Sequence, residues 1–126
     1  KYWSYFTAQV YENANQNKEA DTLYQQALKA LPFQFDVINR AVAFYNKNGK
    51  AEDAYNISLE AVKLNPYSSP LLKLYILQSL NVNLDNYAAD GLEKLREITS
   101  PEDYRSFEVK FYEEKKKKES SMQEWQ

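Results

Sequence analysis

Apolar residues recur along this chain with the spacing of amphipathic helices. Between positions 17 and 30, the residues at 20, 23, 24, 27 and 28 are apolar, which forms a single stripe along one helix. Similar patterns predict helices at residues 1–14, 17–30, 36–47, 51–64, 70–82 and 85–98, and from residue 101 onward. With only 2 glycines and 4 prolines, the chain lacks the turn residues of a many-stranded sheet. The predicted fold class is therefore all-α.

Short polar and proline-containing segments separate these helices. Gly49 follows one helical pattern, and Asn15 stands at the equivalent place in the first pair. Both residue types tolerate the positive φ that ends a helix, so each marks a tight turn between antiparallel helices. Pro32 and Pro66 follow the second helix of each pair, where a proline cannot donate to the helix and restricts the residue before it.

The same residue types return every 34 positions. The matched pairs are Tyr11 and Tyr45, Ala20 and Ala54, Ala27 and Ala61, and Pro32 and Pro66. A third copy is weaker, with Ala88 and Ile98 placed 34 residues after Ala54 and Leu64. A constant period of this length is typical of arrays in which each helical unit packs on the next.

The period, the small residues and the closing prolines together resemble the tetratricopeptide repeat, from residue 1 to about residue 100. The resemblance implies a right-handed helical-repeat solenoid of antiparallel helix pairs, an α-α superhelix. We assign three repeats to residues 1–34, 35–68 and 69–100. The chain departs from the family where Ser4, Ile38 and Leu72 replace an aromatic residue of the first helix. The third repeat is the least regular.

A distinct helix start follows the repeats at Ser100 and Pro101, which combine a capping hydroxyl with a proline at the first helical position. Tyr104, Phe107 and Phe111 then form an apolar stripe. Because an array exposes the apolar face of its last repeat, we assign residues 101–112 as a capping helix. Residues 113–126 are predicted to be a charged, solvated helix extension with a frayed tail.

Composition argues against enzyme chemistry. The chain has no His and no Cys, so it lacks the commonest general base, the commonest metal ligand and any thiolate. Its two glycines, Gly49 and Gly91, are too far apart to form a phosphate-binding loop. The acids Glu12, Asp85 and Asp103 are expected at helix starts and on solvated faces. We therefore predict no enzyme, no cofactor and no metal site.

Charge and hydropathy limit the partners further. The net charge of −2 provides no field that would attract nucleic acid, and acids flank the four lysines at 115–118. No apolar run approaches the length of a membrane-spanning helix, so no membrane insertion is expected. With nucleic acid and membrane set aside, the expected partner is a protein or a peptide.

The resemblance implies that the first helix of each pair lines a concave groove, which holds an extended peptide or a partner helix. On that pattern, the groove residues are Tyr2, Tyr5, Gln9, Glu12, Asp36, Asn39, Ala43, Asn46, Lys73 and Leu77. One family subgroup grips a C-terminal carboxylate with basic and amide side chains, whose positions here hold Tyr5, Gln9, Arg40, Pro70 and Leu74. None of these matches, so that clamp is not expected. The predicted function is a non-enzymatic protein–protein interaction module.

Two alternatives stay open: a structural or oligomerisation segment of a longer solenoid, and a regulatory repeat region of a larger enzyme. Because the chain starts without Met, we expect it to be a piece of a longer protein. Tyr2, Trp3, Phe6 and Val10 give the first helix a second apolar side, which a preceding repeat would cover. Without that repeat, we expect this edge to self-associate into a homodimer.

Overall fold

The computed structural model describes residues 1–124 and contains seven helices within them. They are α1 (Trp3–Asn13), α2 (Asn17–Ala30), α3 (Phe35–Lys47), α4 (Ala51–Leu64), α5 (Ser69–Asn81), α6 (Asp85–Ile98) and α7 (Pro101–Glu124). Every predicted boundary lies within two residues of the observed one. No strand occurs in residues 1–124, so the all-α prediction is confirmed. Among these residues, no helix is both long and apolar enough to cross a membrane.

Three turns with the same geometry connect the paired helices. Asn15, Gly49 and Asn83 have φ angles of 61°, 75° and 66°, and they are spaced 34 residues apart. In each turn, the next residue donates its N–H to the carbonyl oxygen five positions earlier, at 2.8 to 2.9 Å. This is the bond that closes a helix end of the Schellman type. The first two turns confirm the prediction, and the third carries the period into the least regular repeat.

Contacts within the chain define two compact units, residues 1–57 and residues 58 onward. We call them unit 1 and unit 2. The division falls inside α4, so it does not coincide with any of the predicted repeat boundaries. The assignment of three repeats and a cap remains a prediction.

Small residues bring the helices of unit 1 together. Ala8 of α1 and Ala20 and Ala27 of α2 are completely buried, which lets the two helix backbones approach closely. Aromatic rings fill the space beside them: the centroid of the Tyr24 ring lies 4.9 Å from that of Phe44. Such ring pairs combine large buried area with a preferred geometry.

Unit 2 contains a continuous apolar core that joins α5, α6 and α7. The buried residues are Leu72, Ile76, Leu80, Ala88, Leu92, Leu95, Tyr104, Phe107 and Phe111. The last three form the stripe that the sequence predicted for α7. Their burial against α5 and α6 is the arrangement that a capping helix requires.

The charged part of α7 continues as a helix to Glu124. Lys117 is 76% exposed there, whereas Lys118 is only 23% exposed. The Lys118 ammonium donates to the Leu80 carbonyl oxygen and lies 3.6 Å from Asp85 Oδ1. The extension predicted to be solvated therefore also contacts α5 and α6. The predicted frayed tail includes residues 125 and 126, which lie outside the described residues.

Candidate functional site

Residues predicted for the groove lie together on α1 and α3 of unit 1. We call this the α1/α3 surface, defined by Tyr2, Tyr5, Gln9, Asp36 and Asn39. The Tyr5 hydroxyl donates to the Asp36 carbonyl oxygen at 3.5 Å, which links the two helices. The Gln9 amide donates to the Tyr5 carbonyl oxygen at 3.5 Å. Tyr2, Asp36 and Asn39 are exposed, and Tyr5 and Gln9 are half-buried.

The N-terminal end of this surface is aromatic. The ring of Tyr5 lies 6.3 Å from that of Tyr2 and 5.4 Å from that of Phe6, and Tyr2 stacks on Phe6 at 5.8 Å. Burial raises the pKa of the Tyr5 phenol, and the charge of Asp36 raises it further. The raised pKa favours the protonated hydroxyl that donates to the Asp36 carbonyl oxygen.

A buried acid lies beside this surface. Glu12 is only 7% exposed, so the expectation that it is solvated is wrong. The fully buried Tyr24 donates its hydroxyl proton to Glu12 Oε1 at 2.5 Å. Arg40 Nε lies 3.4 Å from the same oxygen, and Lys47 Nζ lies 3.9 Å from Oε2. These partners compensate the cost of burying the carboxyl group.

This polar cluster holds Arg40 in place. Its Nε donates to Glu12 and, at 3.4 Å, to the Tyr24 hydroxyl oxygen. The hydrogen bond to Tyr24 raises the pKa of the Arg40 guanidinium, as does the nearby Glu12 carboxyl group. The Arg40 side chain nevertheless stays 38% exposed, one turn away from Asp36 on α3. The sequence placed Glu12 in the groove but gave no sign of its burial, because its partners lie 12 and 28 positions away.

Of the two groove residues predicted in unit 2, Lys73 contacts α7 and Leu77 packs against the apolar core. Lys73 Nζ lies 2.9 and 3.0 Å from the two carboxyl oxygens of Asp103, and 6.0 Å from the centre of the Phe107 ring. The structure thus brings Lys73 to α7. Asp103, expected to be a solvated helix-start residue, is the ion-pair partner of Lys73.

The predicted self-association edge is exposed in unit 1. Trp3 is 69% exposed, Phe6 60%, Val10 65% and Tyr2 36%. Trp3, Phe6 and Val10 stand at i, i+3 and i+7, so they occupy one face of α1.

No group of acidic residues in residues 1–124 is arranged to hold a metal ion.

Comparisons with known proteins identify the fold but not a close relative. No protein-family model matches the sequence, and no curated protein matches it. The TPR domain of Sgt2 from Aspergillus fumigatus superposes with a TM-score of 0.61 at 20% identity, over 93% of this chain and 78% of that domain. A mutant of MamA superposes with a TM-score of 0.58 at 16% identity, over 77% of this chain and 71% of the other. The fold is that of tetratricopeptide repeats. The resemblance that the 34-residue period indicated is confirmed. The α1/α3 surface is therefore a surface of a TPR-like fold.

Proposed function

We propose that this TPR-like chain is a protein-interaction module whose α1/α3 surface binds a peptide segment or a helix of a partner protein. The observation that carries the proposal is the linked set of polar and aromatic side chains on two first helices, joined by the bond from Tyr5 to Asp36. This set is partly pre-organised, and pre-organisation lowers the entropic cost of binding.

The chemistry of the surface suits a peptide. The Gln9 and Asn39 amides can donate to and accept from a peptide backbone, so a bound backbone keeps its hydrogen bonds. The phenols of Tyr2 and Tyr5 add rigid contact area with few rotatable bonds. Arg40, held by Glu12, adds a fixed positive charge at the side of the surface. Partners with an exposed, partly apolar segment fit this combination.

The footprint proposed here is confined to unit 1. The Lys73 ammonium pairs with both oxygens of Asp103, and the half-buried Leu77 packs against the apolar core. A ligand that used Lys73 would have to replace an ion pair and the contact with the Phe107 ring. We therefore expect Lys73 to contribute less to binding than Tyr5, Gln9 or Asn39.

Peptide selection tests this proposal directly. Peptides that bind the parent chain would be selected from a random 12-residue phage library, and their affinities measured by fluorescence anisotropy. The triple variant Tyr5→Ala, Gln9→Ala, Asn39→Ala should weaken the selected peptides by about tenfold or more, the effect of losing one or two interface anchors. Lys73→Ala should change the affinity by about twofold or less.

A matched control uses Lys18→Ala and Lys29→Ala, two exposed positions on α2. These substitutions should leave the affinity unchanged. If the selected peptides bind the triple variant as tightly as the parent, the α1/α3 surface is not the binding site.

We propose self-assembly through α1 as a second candidate function, because its outer face exposes Trp3, Phe6 and Val10. Sedimentation velocity over a range of concentrations would detect a dimer. Trp3→Glu with Phe6→Glu should abolish it, while Lys29→Glu on α2 should not. A parent chain that stays monomeric at high concentration would exclude this candidate.

A further inference from the structure

A groove of about 310 Å³ lies in unit 2, between the end of α4 and the face of α6. It is lined by Leu59 and Val62 of α4, Tyr75 of α5 and Tyr87 of α6. None of these residues belongs to the α1/α3 surface. The volume is at the small end for ligand pockets, so it suits one large side chain better than a whole small molecule.

The groove exists because α5 and α6 approach closely beside it. A Cβ atom at Gly91 would lie only 2.8 Å from Ile76 Cγ1 and 3.7 Å from Tyr75 Cε2. Gly91 and Tyr75 both line the groove, so the missing side chain at Gly91 leaves space beside the Tyr75 ring. Tyr87, which is 54% exposed, offers a second ring in the lining. An incoming aromatic side chain can make edge or offset contacts with such rings.

Charge at the rim favours an acidic neighbour for that side chain. Lys63 and Lys94 stand on opposite walls, and Asp90 is the single acid among the lining residues. Lys94 forms no ion pair or hydrogen bond with any residue in the described part of the chain. Lys63 pairs only with Glu60 at 3.4 Å, and both side chains are more than 60% exposed, so that pair contributes little. Neither ammonium group is held by a strong ion pair, so both can pair with a carboxylate at the groove.

We infer that this groove is a second protein-binding site, which takes an aromatic side chain flanked by acidic residues from a partner peptide. The aromatic ring enters between Val62 and Tyr87 and contacts Tyr75. The flanking carboxylates pair with Lys63 and Lys94. The site uses residues of α4, α5 and α6 and none of the α1/α3 surface, so it should function independently of that surface.

A defined peptide tests the inference. The probe is a fluorescein-labelled peptide with one Phe between two pairs of Glu, and binding is followed by fluorescence anisotropy. K94E should weaken binding about tenfold, because it places a like charge beside the incoming acid. K117E, which changes charge by the same amount at a 76% exposed position of α7, should leave binding within about twofold. Tyr87→Ala should weaken binding several-fold, since it removes one aromatic contact.

Control peptides and variants separate this site from the others. Replacing the Phe of the peptide by Ala should lower the affinity about tenfold, the usual effect of removing an interface anchor. Tyr5→Ala in the protein should have no effect. The inference is wrong if the parent chain does not bind the probe, if K94E and K117E behave alike, or if the Ala peptide binds as tightly as the Phe peptide. Circular dichroism of each variant would verify that the helices are intact.

Discussion

Units 1 and 2 carry the same turn geometry and both bury apolar residues, but the helices of unit 1 are also linked through a buried acid. In unit 1, polar side chains link the helices: Tyr24 and Arg40 converge on Glu12. A second link joins Tyr45 and Lys50 to Asp21. In unit 2, nine buried apolar residues from three helices form the core. The ion pair of Lys73 with Asp103 lies at its edge, with Asp103 45% exposed.

Apolar burial and buried polar links have different effects on a helical unit. Apolar burial stabilises in proportion to the area removed from water, with little dependence on direction. Buried polar links contribute less net free energy, but they are costly to leave unsatisfied and so constrain how the helices are placed. We therefore expect the stability of unit 2 to depend on the size of its side chains. The stability of unit 1 should depend in addition on the pairing of Glu12 with its partners, which lie beside the surface proposed to bind partners.

The largest effect should come from the core of unit 2. Phe107→Ala removes a buried ring, and the transfer and cavity terms together should lower the free energy of unfolding by about 3 to 5 kcal/mol. Urea unfolding followed by circular dichroism would measure this loss. Tyr112→Ala is the matched control on the same helix, since Tyr112 is 55% exposed, and it should change stability by about 0.5 kcal/mol or less. Equal losses in both variants would contradict the packing described for α7.

Breaking one partner of the Glu12 cluster should have the next largest effect. Glu12→Ala leaves the buried Tyr24 hydroxyl without its acceptor, which should cost about 2 kcal/mol. The double variant Glu12→Leu, Tyr24→Phe replaces both partners by apolar groups and should recover much of that loss. Urea unfolding of Glu12→Leu, Tyr24→Phe and the double variant provides the cycle. Additive losses would mean that Glu12 and Tyr24 do not stabilise one another.

Two glycines test whether the same substitution acts through different causes in the two units. Gly49→Ala forces a side chain into a positive φ at a position with open space, and should cost about 1 kcal/mol. Gly91→Ala gains helix propensity, but its Cβ meets the buried Ile76 side chain, so a net loss of about 1 kcal/mol is expected. Gly91→Ala combined with Ile76→Val should relieve part of the crowding. Gly49→Asn should be nearly neutral, as Asn occupies the matching positions 15 and 83. Thermal unfolding would rank these variants, and a stabilising Gly91→Ala would show that α5 and α6 can move apart.

The smallest effect concerns acid sensitivity in unit 1. Burial raises the pKa of Asp21, but hydrogen bonds from Tyr45 and Gln25 and the charge of Lys50 lower it, and the net pKa lies below its usual value. A carboxyl group with a lowered pKa stabilises the folded state above its unfolded pKa of about 3.9, and that contribution is lost as pH falls through the folded pKa. Asp21→Asn should therefore flatten the fall in stability below pH of about 4. Unfolding measured from neutral pH to pH of about 3 would detect this. A parent and variant with identical pH dependence would contradict the role of Asp21.

The sequence by itself determined the helices and their turns. Apolar spacing and the residues at helix ends are local signals, and the 34-residue period repeated them often enough to indicate the TPR-like fold. Asn83 shows how far the period reaches: it has the same positive φ as Asn15 and Gly49, although the third repeat had lost most other matches. The aromatic stripe of α7 could also be predicted from the sequence, because residues three or four positions apart share one helix face.

Only the tertiary structure decided which polar side chains remain available for a partner. Glu12 resembles a surface acid in sequence, yet it is buried by partners from α2 and α3. Lys73 was predicted to line a groove, yet Asp103, 30 positions away, engages it. The groove beside Gly91 likewise depends on α4, α5 and α6 together. Periodicity indicates which face of a helix is apolar, but the pairing of charged groups depends on distances between helices, which no local pattern encodes.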